Sequence, residues 1–258
     1  MSDSDLKILV CVLPSVPLRA EPNDRSEQVS QILAGEVVIA QDEECMGNWI
    51  LVDSLEDGYR GYADPRHFHS LETDPNKYDR SLISCTDSTW QRNGVKTTIP
   101  AGSYVYWSDF KYYLGNQEII PLSENSIGDA PYSISEAAKD FLGTPYHWGG
   151  RTISGIDCSG LTQISARLTG VRLLRDASDQ AEQGNSVEWE NRSVNDLAFF
   201  QNDEGKITHV GILTARNEII HASGEVRIDG LTQDGIIHAS SGKLTHKFSH
   251  LRRLSDEV

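Results

Sequence analysis

The signals for secondary structure change near residue 130, and this change constrains the fold of the 258-residue chain more than any other feature. Before it, short runs rich in Val, Ile, Tyr and Trp alternate with turn residues such as Asn93-Gly94 and Gly115-Asn116. Such runs are typical of small β-barrels or sandwiches. The predicted strands are Lys7–Leu13, Val37–Ala40, Trp49–Asp53, Val95–Ile99, Tyr104–Trp107 and Glu118–Pro121. We therefore expect the N-terminal half to be all-β.

Two small barrels account for this half better than one. The segment from Leu71 to Asp79 is polar and contains a proline, so it is a suitable link between them. We predict a first barrel over residues 1–72, a second over residues 73–128, and a further domain over residues 129–258.

Helix signals begin after this point. Ser133 and Glu136 have the spacing of a capping box, and Gly143 supplies a stop. The apolar face of this first helix would contain Ala137, Ala138, Phe141 and Leu142. A second helix, with Cys158 in its first turn, has apolar residues at spacings of three and four. Strands are predicted downstream at Leu197–Phe200, Lys206–Thr214 and Glu218–Ala222. Helices followed by an antiparallel sheet indicate an α+β domain.

The charge balance argues against two classes of partner. The chain has 38 acidic and 23 basic side chains, a net charge of −15 and no run of Lys or Arg. Binding to a phosphate backbone needs a basic surface, so we expect neither nucleic acid nor an anionic membrane as a partner. No apolar run approaches the 18 residues of a membrane-spanning helix.

The N-terminus and the cysteines both favour the cytoplasm. The apolar stretch from Ile8 to Leu18 follows Asp3 and Asp5, where a signal peptide would carry basic residues, so we interpret it as a strand and a turn. Export would fit only a chain trimmed at this end. The four cysteines, Cys11, Cys45, Cys85 and Cys158, are widely spaced and contain no C-x-x-C pair that would indicate zinc or a redox dithiol.

Cys158 is the strongest candidate for a nucleophile. It follows Asp157, a good N-cap, and a helix N-terminus directs amide groups and a positive dipole end at a thiol, which lowers its pKa. The alternative is that Cys158 is a small buried hydrophobic residue, as most free cysteines are.

Two histidines favour the nucleophile over this alternative. His209 and His221 lie twelve positions apart on the arms of a predicted hairpin. If the turn centres near Ala215, they face each other with Cβ atoms about 5 Å apart. One imidazole would take the thiol proton and the other would orient it, as in a nucleophile–base–orienter triad.

At these residues the chain resembles the NlpC family of papain-like bacterial cell-wall cysteine peptidases. The motifs that carry the resemblance are residues 143–150 (GTPYHWGG), 155–161 (GIDCSGL), 195–200 (NDLAFF), 209–212 (HVGI) and 220–222 (IHA). The family has Gly-Asp-Leu where this chain has Asn195-Asp196-Leu197. The resemblance implies that Cys158 is the nucleophile and His209 the base, with His221 as the third residue. It also implies that the Cys158 amide and Tyr146 hold the oxyanion, without any metal or organic cofactor.

The upstream half resembles bacterial SH3-like domains, and residues 17–36 resemble the subgroup that trims murein peptides. Members of this subgroup are γ-D-glutamyl-L-diamino acid endopeptidases that require a free N-terminal L-Ala. The resemblance implies a peptidase that acts on murein peptides released during wall recycling, and we expect the chain to be a monomer. The substrate contacts it implies are Asp157, Ser159, Glu36, Tyr59 and Ser178, with Tyr62 as an alternative to Tyr59.

Several alternatives stay open at this stage. Asp157 would also serve as a helix cap, and Glu36 as a solvated turn residue. His238 repeats the sequence context of His221 and competes for the third position. Arg151 and Arg175 are equal candidates for binding the substrate's carboxylates. His67 and His69 have metal-ligand spacing, but no third ligand is evident, so we interpret them as surface residues. The aromatic residues of the second barrel suit a platform for a glycan or a peptide, although core and cross-strand packing explains them more economically; they are Tyr104, Tyr106, Trp107, Tyr112 and Tyr113.

Three other functions compete with peptide trimming. In the first, the chain is an exported wall endopeptidase. In the second, it is a thiol amidase or acyltransferase that acts on another amide. In the third, it is a wall-binding module without activity. The presence of Cys158, His209 and His221 argues against the last.

Overall fold

The protein divides into two compact units, Met1–Asp129 and Ala130–Val258. The computed structural model describes residues 7–71, 79–83, 88–124, 126–131 and 133–254, without the side chains of residues 42–46 and 80. Most of the predicted link from Leu71 to Asp79, together with Cys45 and Cys85, lies outside this description.

The first unit begins with a seven-stranded antiparallel sheet. Its strands are β1 Lys7–Cys11, β2 Ser15–Arg19, β3 Gln28–Leu33, β4 Val37–Met46, β5 Trp49–Ser54, β6 Arg60–Ala63 and β7 Phe68–Ser70. They are ordered β3-β2-β6-β5-β4-β1-β7. Burial alternates along β2 and β5 because successive side chains of a strand point to opposite faces. Leu18, Val38 and Val52 lie on the inward face and are fully buried, so this sheet closes a core of its own.

A six-stranded antiparallel sheet follows in the same unit. Its strands are β8 Asp79–Leu82, β9 Thr89–Arg92, β10 Val95–Thr98, β11 Tyr104–Ser108, β12 Lys111–Leu114 and β13 Gln117–Pro121. They are ordered β10-β9-β13-β12-β11-β8. Trp90 is fully buried and meets Tyr112 edge to face at 5.2 Å between ring centroids. Tyr106 pairs with Tyr113 across β11 and β12, so these aromatic residues take part in packing.

The turn between β3 and β4 joins the two sheets. Ala34 is buried in the core of the second sheet, and the Gly35 carbonyl accepts a hydrogen bond from the Tyr106 hydroxyl at 2.7 Å. Gly35 has a φ of +74°, and a Cβ there would lie 2.0 Å from the Tyr104 carbonyl oxygen. Only glycine fits this close approach.

The second unit combines three α-helices with an antiparallel sheet and a short two-stranded one. The helices are α1 Ile134–Lys139, α2 Cys158–Leu168 and α3 Ala177–Gln180. The strands are β14 Arg151–Thr152, β15 Gly155–Ile156, β16 Asn185–Val187, β17 Leu197–Gln201, β18 Ile207–Ala215, β19 Glu218–Ser223, β20 Glu225–Thr232, β21 Gly235–Ile237 and β22 Leu244–Arg253. Seven of them form a sheet ordered β16-β22-β17-β18-β19-β20-β21, in which β21 also pairs with β22. The helix α2 packs against β18 and β19, which brings its N-terminus to the histidine strands.

The predicted apolar face of α1 is only partly correct. Ser133 caps the helix by accepting from the Glu136 amide at 3.3 Å, and Ala137 and Ala138 are buried. The helix ends at Lys139, so the helical spacing does not extend to Leu142, which is 48% exposed. In the parts of the chain that the structure describes, no helix is both long and apolar enough to span a bilayer.

Candidate active site

Cys158 is the first residue of α2. The Asp157 carboxylate caps this helix by accepting from the Gly160 amide at 2.6 Å. A Cβ at Gly160 would lie 2.3 Å from the Gly150 carbonyl oxygen, so glycine lets the start of the helix pack closely against the preceding loop. The local sequence thus fixes the thiol at a helix N-terminus, as predicted from Asp157 and the flanking glycines.

The thiol is protonated in the resting site. Burial raises the pKa of Cys158 to about 12, and the neighbouring Asp157 carboxylate adds to this rise. Hydrogen bonds with the backbone of Val210 and Ser159 and the charge of Arg175 act in the opposite direction. The predicted lowering of the pKa by the helix N-terminus is therefore outweighed by burial. A base must remove the proton as the thiol attacks.

His209 and His221 meet, but not in the predicted register. Ile212 pairs with Ile220, which puts His221 beside Gly211 rather than opposite His209. The hairpin turns at Arg216-Asn217, between the paired residues Ala215 and Glu218, rather than near Ala215, and this position of the turn causes the shift. Gly211 has no side chain, and a Cβ there would lie 2.9 Å from the His221 Cβ. The His221 ring therefore has room to reach His209, and its Nδ1 lies 2.9 Å from His209 Nε2.

Asp229 completes the chain of polar groups and was not predicted from the sequence. Its Oδ2 lies 3.0 Å from His221 Nε2 and also accepts from Arg227 Nε at 2.9 Å. Burial opposes its ionisation, but hydrogen bonds from the Ala239 amide, His221 and Arg227 hold the pKa of Asp229 below its usual range. Asp229 is thus a carboxylate at neutral pH.

The carboxylate determines where the protons lie on both imidazoles. An acceptor-only carboxylate requires His221 Nε2 to carry the proton, so neutral His221 accepts at Nδ1. His209 Nε2 must then donate to it, which leaves His209 Nδ1 without a proton. Burial lowers the pKa of His221 to about 4 and that of His209 well below 6.5, so both rings are neutral at pH 7. His209 Nδ1 therefore has a free lone pair and can accept a proton.

We expect Asp229→Asn to lower kcat/KM by about 10²- to 10³-fold. An amide that donates to His221 Nε2 would reverse both tautomers and put a proton on His209 Nδ1. Asp234→Asn, at an exposed carboxylate before β21, is the matched control and should keep full activity. Peptide-cleavage kinetics of both variants check this, and similar rates for the two would contradict the tautomer assignment.

Tyr146 lies in a cleft beside His209. It lines a cavity with His209, Thr208, Ser223 and His246. Burial raises the pKa of Tyr146 above its usual range, and the nearby Cys158 and Asp157 add to the rise. Its hydroxyl thus remains a donor, as stabilising an oxyanion would require.

Three imidazoles gather at the site, those of His209, His221 and His246. Their nitrogens lie within 4.8 Å of one another, and among the described residues no other group of three such ligands is found. The His209–His221 hydrogen bond occupies two of these nitrogens. The rings of His209 and His246 are nearly parallel, at 23°, so their lone pairs do not converge on one point. The arrangement favours proton transfer over metal binding.

The pocket residues suggested by the sequence fall in different settings. Asp157 and Ser159 are buried against Arg175: its two terminal nitrogens donate to the carboxylate at 2.6 and 3.1 Å and to the Ser159 hydroxyl at 2.8 Å. The Gly149 amide also donates to Asp157, at 2.8 Å. The carboxylate therefore caps α2 and pairs with Arg175.

The arginines suggested for the substrate's carboxylates are both buried. Arg175 is 2% exposed and committed to Asp157, and Arg151 is 1% exposed on β14. Ser178, by contrast, is exposed on α3. Gln180 of the same helix is buried and donates to the Ser159 carbonyl at 3.0 Å, so α3 supports the first turn of α2. No sequence signal pointed to Gln180.

Glu36 is fully buried and accepts from the Leu33 amide at 2.8 Å, so its interpretation as a solvated turn residue is wrong. Tyr59 packs against the core of the first sheet, and Tyr62 lies on β6 opposite Leu51. Both tyrosines are half-buried.

The remaining histidine candidates lie elsewhere. His238 sits beyond β21, where its Nδ1 contacts the hydroxyls of Ser240 and Ser241 at 3.1 Å. It makes no contact with His209 among those that the structure describes. His67 and His69 are half-buried rather than exposed, and within the described residues no third ligand joins them.

Asn195 explains the one departure from the family pattern. Its φ is +75°, in the left-handed region that glycine favours and asparagine tolerates. Its side-chain oxygen also accepts from the Ser135 amide at 3.0 Å, which ties the turn to α1.

Comparison with known proteins agrees with this geometry. Residues 143–244 match the NlpC/P60 family, and residues 18–67 match the bacterial dipeptidyl-peptidase SH3 domain. The first range contains Cys158, His209, His221 and Asp229.

Relatives and solved structures resemble both halves. A gamma-D-glutamyl-L-lysine dipeptidyl-peptidase of Bacillus subtilis is 28% identical over 75% of this chain and 71% of its own length. A protein of the same name from Bacillus cereus is 34% identical over 70% of this chain, but the match covers only 53% of that relative. The crystal structure of an NlpC/P60 family protein from Bacillus cereus has a TM-score of 0.80 at 19% identity and covers 95% of this chain and 99% of its own. The chain thus contains an NlpC/P60 cysteine peptidase domain, matched over residues 143–244, with SH3-like β-sheets ahead of it.

Proposed function

We propose that this peptidase hydrolyses the γ-D-glutamyl–L-diamino acid bond of murein stem peptides that begin with a free L-Ala. The observation that carries the proposal is the hydrogen-bonded series His209–His221–Asp229 beside the Cys158 helix, within the range that matches the family. The relatives named gamma-D-glutamyl-L-lysine dipeptidyl-peptidases supply the bond and the substrate class.

The chemistry follows from the tautomers of the site. Cys158 Sγ bonds to the γ-carbonyl carbon while its proton moves to His209 Nδ1. The Cys158 amide and the Tyr146 hydroxyl donate to the oxyanion. The amide C–N bond then breaks as His209 returns the proton to the leaving amine, and a thioester remains. Water gives a proton to His209 and attacks the thioester, the C–S bond breaks, and the thiol takes back its proton.

Two observations support the requirement for a free N-terminal amine on the substrate. A dipeptidyl-peptidase, as these relatives are named, releases two residues from a free N-terminus. The net charge of −15 also favours a cationic end group over a blocked one. The Asp157 carboxylate is paired with Arg175, so its charge is already balanced in the free enzyme. The substrate contacts in the proposal, to be tested by substitution, are Asp157, Ser159, Glu36, Tyr59 or Tyr62, and Ser178.

The recycling role and a cytoplasmic location belong to the same proposal. If a free L-Ala amine is needed, cross-linked wall is a poor substrate and released peptides are the natural one. Cell fractionation with an antibody against the chain tests the location, and recovery with the envelope or medium would overturn it.

The deciding experiment compares four peptides: L-Ala-γ-D-Glu-L-Lys, its meso-diaminopimelate counterpart, and the N-acetylated form of each. We expect release of the diamino acid from the free-amine peptides only, with acetylation lowering kcat/KM by at least about 10²-fold because it removes the charge of the amine. Mass spectrometry follows the products, and the Cys158→Ala enzyme is the blank. Equal cleavage of both forms would remove the amine requirement, whereas cleavage of none would overturn the proposed substrate.

A further inference from the structure

His246 covers the catalytic base. Its ring stacks on the His209 ring with centroids 4.1 Å apart and planes 23° from parallel. It also meets His221 edge to face at 5.7 Å and Phe200 at 6.1 Å. The three neighbours lie on β17, β18 and β19, so His246, on β22, contacts the base, its partner and the aromatic residue beside them.

The strand arrangement explains this contact. The strand β17 separates β22 from β18 and ends at Gln201, which pairs with Lys247. His246 is the next residue of β22 beyond that pair, where no residue of β17 intervenes. Its ring therefore reaches His209 directly. The position lies outside residues 143–244, the range that matches the family.

His246 also lines the cleft beside the base. It is half-buried and lines the cavity that Tyr146 and Thr208 share with His209. Without this ring, one face of the His209–His221 pair would be open to the cavity. A hydrogen bond shielded from water is stronger and better oriented than an exposed one.

We propose that His246 is a positioning residue for the base: its ring holds the His209 imidazole with Nδ1 available to the thiol and keeps water from the His209–His221 hydrogen bond. The inference rests on the role of His209 in the proposed function, but its test includes a measurement that needs no substrate.

The groups that face His246 set its charge. They are His209 on β18, His221 on β19, Arg227 and Asp229 on β20, and Tyr146 in the cleft. Burial and the Arg227 charge lower the pKa of His246, and Asp229 acts in the opposite direction. Burial, with His246 as the next cause, also lowers the pKa of His209. Removing the ring admits water, so the pKa of His209 should rise toward 6.5.

The test compares His246→Ala, which removes the ring, with His246→Phe, which keeps an aromatic ring without a titrating group. The matched control is His250→Ala, because His250 is on the same strand and stacks on Phe199 at 5.1 Å, away from the base. The readouts are kcat and kcat/KM from pH 4 to 8, and the rate of alkylation of Cys158 by iodoacetamide over the same range.

We expect His246→Ala to lower kcat about tenfold. The acid limbs of the kinetic profiles and of the alkylation profile should move to higher pH by about one unit, because His209 then protonates more readily. His246→Phe should restore kcat to within about twofold of the wild type and leave the acid limb in place. The His250→Ala profile should match that of the wild type. A purely structural role would change the melting temperature without moving the acid limb.

Two outcomes would overturn the inference: acid limbs that stay unchanged in His246→Ala, or His246→Phe behaving like His246→Ala. If His246→Ala does not fold, His246→Gln, which has no ring, replaces it in the comparison. Failure of the proposed function would appear as a wild-type enzyme that cleaves none of the peptides. The alkylation profiles would still decide the role of His246.

Discussion

Cys158→Ala is expected to lower peptide cleavage by at least about 10⁴-fold while leaving the fold intact. The thiol forms the thioester of the proposed mechanism, and the series from His209 to Asp229 supplies the base for it but no thiol of its own. Alanine removes one sulfur atom from a position that is 6% exposed, so the free energy of unfolding should change by about 1 kcal/mol. Single-turnover cleavage assays with purified protein measure the loss.

Cys11→Ala is the matched control. Cys11 is the other described free cysteine, fully buried in the first sheet, with its thiol donating to the Leu13 carbonyl at 3.3 Å. Burial raises its pKa to about 12 as well, so burial alone does not distinguish the two thiols. Only Cys158 lies at a helix N-terminus in the unit that holds the histidines. Cys11→Ala should keep full activity. If Cys158→Ala cleaved the peptide as fast as Cys11→Ala does, a thioester mechanism at Cys158 would be excluded.

Arg175→Met is expected to lower the free energy of unfolding by roughly 3–5 kcal/mol. The substitution leaves the Asp157 carboxylate buried without its counter-charge, since the side chains of Arg175 and Asp157 are 1% and 6% exposed. It also removes a positive charge that lowers the pKa of Cys158, so alkylation of the thiol should slow. Urea unfolding followed by circular dichroism measures the stability.

The double variant Asp157→Asn/Arg175→Met isolates the cause. An asparagine still caps α2, because its side-chain oxygen can accept from the Gly160 amide, and no buried charge is left. We expect it to recover most of the stability lost in the single variant. Arg60→Met, which breaks an exposed pair with Asp53, should cost less than about 1 kcal/mol. If the single and double variants were equally unstable, lost packing rather than unpaired charge would be the cause.

The elements of the site that depend on local sequence could be predicted. Asp157, Cys158 and Gly160 are closely spaced signals for a capped helix, and the cap hydrogen bond spans only three positions. The fold class followed in the same way, from short strands before residue 130 and from helices and longer strands after it. Asn195 is a further example of local sequence setting local structure. Its left-handed backbone conformation suits both the glycine of the family pattern and the asparagine of this chain.

The register of the histidine hairpin could not be predicted. Counting from a turn near Ala215 puts His209 and His221 face to face, but the chain turns at Arg216-Asn217, so their contact is diagonal and passes over Gly211, which has no side chain. The exact place of a turn, and the irregularity that follows at Leu213, depend on how the strands pack, and an alternating pattern of residues does not reveal them.

By itself, the sequence determined which thiol lies at a helix N-terminus, which two histidines share the hairpin and which family the chain resembles, because these depend on neighbouring residues and short motifs. The tertiary structure alone decided the charge and tautomer of each group. Asp229 is one of 38 acidic residues and becomes the orienting carboxylate only because β20 lies beside β19. Arg175 becomes the counter-ion of Asp157, and His246 the cover of His209, through contacts between residues 18 and 37 positions apart. Burial and strand order, which no local pattern encodes, set these roles.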